Sequence, residues 1–233
     1  MICKIADLIV DIPAAGGMTP RCQAYLTDQN LKPDIVLSAD RYHPERYPNA
    51  DYNMVCYMES AWAFYGNLVR FNGFYLHASA VEYEGKAYLF SGPSTVGKST
   101  HTKLWQKVFG PSVQVFNDDK PALRLVDGTW YAYGTPWCGK DGINQNKKVP
   151  LAGICFLSQA KENRIYRLTG VDAIRHVLSQ TMFRYWKAED TQKLLQLLDD
   201  LLRNIAVYKL ENLPNEAAAQ LSYETMRPGA NNE

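Results

Sequence analysis

From Val55 to Phe71 the stretch VCYMESAWAFYGNLVRF sets apolar residues at helical spacing, with one glycine and no proline, until Asn72-Gly73 stops it. That pattern predicts a helix packed on a sheet. Before it, ICKIADLIVDI and DIVLSAD read as short strands divided by the turn-rich PAAGGMTP and RYHPERYPNADYN. After it, YLHASAVEY and KAYLFS flank Glu84-Gly85 and predict an antiparallel hairpin whose second strand feeds a glycine-rich loop. STHTKLWQKVF follows as a helix ended by Gly110-Pro111, and SVQVFN as a strand stopped by Asp118, Asp119 and Pro121. ALRLV and TWYAY form a second hairpin around Asp127-Gly128. The irregular GTPWCGKDGINQNKKVP leads into a buried strand, LAGICFL.

The last third reads as mainly helical. Asp190 is placed to cap a helix whose Leu194, Leu197, Leu198, Leu201, Leu202 and Ile205 make one apolar stripe, read as core. AVYKLENLP is a final strand and NEAAAQLSYETM a final helix. These elements predict an α/β (α+β) fold: a mixed, largely antiparallel sheet with the glycine loop at its centre and a helical C-terminal third. Residues 1–70 are expected as an N-terminal α/β segment packed on a main domain of residues 71–226, with 227–233 a frayed tail.

Length and charge narrow the function classes. A chain of 233 residues can bury a sizeable core. A formal net charge of only +1 provides no field favouring nucleic acid or an anionic membrane. No apolar run reaches the length needed to span a bilayer, and Asp7 and Asp11 interrupt the apolar start, which argues against a signal peptide. The five cysteines are odd in number and scattered, as expected of a reduced, cytoplasmic protein.

One short motif says far more. Gly92-Pro93-Ser94-Thr95-Val96-Gly97-Lys98-Ser99 fits G-x-x-x-x-G-K-[ST], the Walker A loop, at every fixed position. A chance match somewhere in a chain this long is about a one per cent event. Its context of preceding strand and following helix, which begins Lys98-Ser99-Thr100, is the one the motif requires. A polyphosphate held by such a turn is bonded by backbone N–H groups that carry no side-chain entropy, while the helix start adds its positive dipole end. Gly92 and Gly97 permit the dihedrals and close approach, Lys98 supplies a full charge, and the Ser99 hydroxyl can ligate Mg²⁺. ATP with Mg²⁺ is the expected ligand.

About twenty residues on, Asn117-Asp118-Asp119 ends a strand where a second magnesium-orienting carboxylate belongs. Consecutive strand residues face opposite sides, so both aspartates reach the phosphates only if the chain bends there, as Pro121 allows. One aspartate then holds the metal with Ser99 and the other accepts a proton from an attacking hydroxyl. His77 adjoins the loop strand as a further catalytic candidate, whereas His101 reads as structural and Cys138 as a free cysteine rather than a reactive thiol.

HASAV, the hairpin, FSGPSTVGKST and VFNDDKPALR together resemble the catalytic domain of HPr kinase/phosphorylase, whose P-loop variant is shared with phosphoenolpyruvate carboxykinases. The resemblance covers roughly residues 70 to 160. It implies Lys98 and Ser99 on nucleotide and metal, Asp118 and Asp119 sharing metal ordering and general-base duty, and His77 in the active site. Where that family carries an arginine-rich loop this chain has no Arg, so Lys140, Lys147 or Lys148 would supply the charge. The resemblance also makes a homo-oligomer the expected assembly. The function expected is an ATP-dependent kinase acting on a hydroxyl, such as a serine of a small protein or peptide. The rivals are a nucleotide-binding sensor without turnover and a carboxykinase-like small-molecule phosphotransferase.

Overall fold

A computed structural model of the chain describes residues 1–39, 44–181 and 187–229. Part of the turn-rich stretch before residue 53, and residues 230–233 of the expected tail, lie outside the described residues. The fold is mixed α/β. A small sheet of β1 (Ile2–Ile5), β2 (Leu8–Asp11) and β3 (Ile35–Val36) stands beside a nine-stranded one. The first two strands were expected as one. They instead form a hairpin turned at Ala6-Asp7, both at positive φ (51° and 62°), a turn normally spelled with Asn or Gly. Asp7 is held there by the Tyr133 hydroxyl and Lys148, each at 2.8 Å.

Helix α1 (Met18–Cys22) leads toward α2 (Tyr52–Leu68), which Asp51 caps by accepting from the Met54 N–H at 2.8 Å. Its buried face, including Phe64, Tyr65 and Leu68, packs with the small sheet and Trp137 in one core. Asn72, left-handed at φ 57°, ends the helical run where predicted.

The run expected as a single strand at YLHASAVEY divides at Leu76-His77. Strand β4 (Gly73–Tyr75) pairs with β8 (Ala122–Val126), while β5 (Ala78–Tyr83) pairs with β6 (Lys86–Ser91) and β7 (Gln114–Asp119). The break leaves His77 outside the ladder, its N–H donating to the Gln180 carbonyl. The two hairpins stand as expected: Glu84-Gly85 and Asp127-Gly128 are both at positive φ, and β8 pairs with β9 (Thr129–Tyr133).

Strand β10 (Lys148–Gln159) ties the sheet together. It starts before Pro150 rather than after it, pairing antiparallel with β9 up to that proline and thereafter parallel with β6 and β12 (Ala206–Asn212). Strand β11 (Arg164–Leu168), which sequence patterning missed, pairs with β12. The C-terminal third is therefore helices α4 (Gly170–Ser179), α5 (Ala188–Asn204) and α6 (Glu216–Met226) interleaved with strand. Asp190 does not cap α5. That position is Lys187, and Asp190 lies in the first turn, held by both ends of the Arg70 guanidinium at 3.2 Å.

Alternation along β6 shows why the glycine loop is fixed so firmly. Ala87 and Leu89 face the core under α4 and α5, whereas Tyr88 and Phe90 face the core under α3 (Lys98–Phe109) and α6. The strand is buried on both faces, and the loop that leaves it inherits that rigidity. On the α3 side Trp105 is fully buried among Tyr88, Phe90 and Tyr223.

Candidate functional site

The loop of residues 92–97 joins β6 to α3 through three residues at positive φ: Gly92 (140°), Thr95 (69°) and Gly97 (109°). A Cβ on Gly92 would stand 3.0 Å from Val96 Cγ1 and 3.3 Å from the Leu157 carbonyl, so close approach requires glycine there. At Gly97 nothing lies within 4 Å of such a Cβ, and the backbone conformation alone demands glycine. Pro93, Ser94, Thr95 and Thr100 are exposed, while Gly92 and Lys98 are buried.

Lys98 Nζ donates to the carbonyls of Gly92 (3.0 Å) and Pro93 (3.1 Å), so the ammonium stands across the loop. Burial lowers its pKa, and the carboxylates of Asp119 and Asp118 pull it back up. The lysine thus feels both aspartates.

Those aspartates end β7, which continues through both instead of stopping at Asn117. A register shift against β5 falls between Ala80 and Val81, with Ala80 opposite Asn117 and Val81 opposite Val115. Their carboxylates go to different partners. The Ser99 hydroxyl donates to Asp118, its Oγ 3.1 and 2.9 Å from the two carboxylate oxygens. Asp119, at φ 131°, sets Oδ1 3.2 Å from His77 Nε2, and its Oδ2 accepts from the Tyr57 hydroxyl (3.2 Å) and the Lys120 ammonium. Burial would raise the Asp119 pKa, yet His77 and Lys120 together hold the carboxyl well below the usual aspartate range. His77 is fixed at its other ring nitrogen too, with Nδ1 3.1 Å from Gln180 Oε1.

The segment after β9 completes the surroundings by running along the free edge of β7. Asp118 N–H donates to the Ile143 carbonyl at 3.2 Å and Gln145 N–H to the Phe116 carbonyl at 2.8 Å. This brings Cys138 opposite Asp119 and leaves Lys140 exposed nearby. Burial pushes the Cys138 thiol up, leaving it a poor nucleophile. Of the other lysines named from sequence, Lys147 is bound to Glu82 at 2.5 Å and Lys148 to Asp7 at 2.8 Å, so both are engaged away from the loop.

Two cavities flank this centre. One of about 380 Å³ lies beside Thr95, Gly97 and Thr100, with His101, Gln159 and Asn212 in its walls. The other, about 480 Å³, opens on Asp119 and Lys140. His101 is buried with Nε2 3.1 Å from Ser222 Oγ, and burial alone lowers its pKa to about 3.

Sequence inspection did not find Tyr57, Lys120, Gln180 or Arg21. Lys120 adjoins the aspartate pair and could have been named from VFNDDK. The others meet their partners at the site across 62 to 117 residues and carry no local signal.

The donor set suits Mg²⁺. A serine hydroxyl beside a carboxylate offers the hard oxygens this ion prefers, and it takes only one or two protein carboxylates when phosphates supply the rest. Among the described residues no group of three or more His, Cys, Asp or Glu side chains is gathered as a metal site. Among them, too, no helix is long and apolar enough to cross a membrane.

No family model matches the sequence, and no curated protein matches it. Among solved structures, the HPr(Ser) kinase/phosphatase from Coxiella burnetii aligns at 11% identity over 64% of this chain and 85% of that one, with a TM-score of 0.34.

Proposed function

We propose that this protein is an ATP- and Mg²⁺-dependent phosphotransferase that acts on a hydroxyl group. The observation that carries the reading is the hydrogen bond from Ser99, on the Walker A loop helix, to Asp118 at the end of β7. It joins two oxygen ligands of the kind a nucleotide-bound magnesium uses, beside a lysine already poised over the loop.

Backbone N–H groups of the 92–97 loop and the first turn of α3 receive the phosphates, and the Lys98 ammonium exchanges the Gly92 and Pro93 carbonyls for phosphate oxygen. Ser99 and Asp118 would hold Mg²⁺, which when bound would neutralise phosphate charge. The cavity beside Gly97 and Thr100 has room for the nucleoside. The acceptor hydroxyl oxygen bonds to the γ-phosphorus, the bond from that phosphorus to the ADP oxygen breaks, and ADP leaves with the electron pair. The hydroxyl proton passes to the Asp119 carboxylate, which His77 and Tyr57 orient.

The test is release of ADP from ATP in the presence of hydroxyl acceptors, with Asp119→Asn as control. Turnover that the substitution lowers by about 10²-fold supports the reading. Nucleotide binding with no transfer to any acceptor or to water supports a sensor instead.

A further inference from the structure

The cavity of about 480 Å³ beside Asp119 has two walls of different origin. One is the end of β7 and the segment after it, contributing Asp119, Lys120 and Lys140; the other is the N-terminal part of the chain, contributing Arg21, Tyr57 and Met58. Resting on the phosphotransferase reading, we infer that this cavity is the acceptor site, and that the acceptor carries an anionic group, a carboxylate or phosphate, close to its reacting hydroxyl.

The charge arrangement points there. Arg21, Lys120 and Lys140 all line the cavity. Of the two carboxylates beside them, Asp51 is engaged in capping α2, and Asp119 is held by His77 and Lys120. Asp119 therefore offsets Lys120, and with Asp51 counted against Arg21 and Lys140 the lining keeps one positive charge in excess. The Arg21 guanidinium stands 5.0 Å from the centroid of the Tyr57 ring and the Lys120 ammonium 4.8 Å from the same centroid. Of these two cations Lys120 is paired with Asp119, whereas Arg21 has no carboxylate partner among the described residues. Arg21 is anchored by one nitrogen only, which donates to the Cys138 carbonyl (3.1 Å) and Sγ (3.0 Å). Among the described residues its remaining N–H groups and the Lys140 ammonium meet no acceptor. A guanidinium fixed at one edge with its other edge free is a preformed carboxylate or phosphate fork. Asp119, the proposed proton acceptor, lines the same cavity, so an anion on Arg21 and Lys140 leaves a neighbouring hydroxyl within reach of it. Met54 and Met58 add apolar wall for the acceptor's carbon skeleton.

The cavity is large enough for a small hydroxy acid or for a serine with an adjacent acidic residue. Two probe pairs separate these sources: glycerate against glycerol, and the blocked peptide acetyl-Glu-Ser-Glu-amide against acetyl-Gln-Ser-Gln-amide. Each is titrated by calorimetry into full-length protein saturated with a non-hydrolysable ATP analogue and Mg²⁺. The anionic member of at least one pair should bind about 10-fold tighter than its neutral partner, and Arg21→Gln or Lys140→Gln should remove most of that preference. Lys140 is exposed, so its substitution tests the idea even if Arg21→Gln fails to fold. Equal affinity for charged and neutral members of both pairs, or a preference that survives the Lys140 substitution in a folded protein, overturns the inference. If the ATP analogue does not bind, the phosphotransferase reading fails by itself, and the same titrations without nucleotide still decide whether the cavity selects anions.

Discussion

The Ser99 hydroxyl and the Asp118 carboxylate, 19 residues apart in the chain, meet at 3.1 and 2.9 Å. The contact bridges the helix that starts at the glycine loop and the strand that runs antiparallel beside β5. Asp118→Asn keeps the shape and removes the charge. Phosphoryl transfer should fall by about 10²-fold or more, while affinity for nucleotide measured without magnesium stays near that of the parent. A magnesium titration of activity checks it, since the variant should need far more of the ion.

Gly97→Ala separates backbone strain from crowding. No atom lies within 4 Å of the added Cβ, so the whole cost comes from φ 109°, about 1–3 kcal/mol. Thermal unfolding should shift down by roughly 2–10 °C. Gly92→Ala meets Val96 and the Leu157 carbonyl as well and should be the more damaging of the two.

Asp119 couples the site to acid stability. Its carboxyl is held below the usual value of 3.8, so its stabilising contribution is complete above that pH and is lost as pH falls through the lower folded-state value. Asp119→Asn should be less stable than the parent at pH 7, and the gap should narrow below pH 3.8. Urea unfolding across that window measures it.

His101 acts at milder pH. It is neutral in the fold, with a pKa near 3 against 6.5 when exposed, so the unfolded chain takes up a proton that the folded chain refuses. Stability should decline as pH drops from 6.5 toward 3, by up to ~1.4 kcal/mol per pH unit from this residue. His101→Phe should flatten that decline between pH 7 and 5 in urea unfolding curves.

Local chemistry made the loop, its helix and both glycine-turned hairpins legible from sequence. Glu84-Gly85 and Asp127-Gly128 spell their turns, and Gly92 and Gly97 are required by backbone geometry that only glycine adopts freely. What sequence could not show was set by distant partners. Ala6-Asp7 turns without a glycine because Tyr133 and Lys148 hold Asp7. Asp190 looks like a cap but is drawn to Arg70, 120 residues away. Asp118 and Asp119 diverge at a point where the backbone leaves strand geometry, with Asp119 at φ 131°, and their partners, Ser99 on one hand and His77, Tyr57 and Lys120 on the other, converge only through the sheet.

The most direct measurement is calorimetric titration of ATP with Mg²⁺ into the parent protein and into Lys98→Ala. One ATP should bind per chain, and loss of the ammonium should weaken binding by about 10-fold or more. No saturable binding by the parent, or equal binding by the variant, would contradict a phosphate-holding role for this loop.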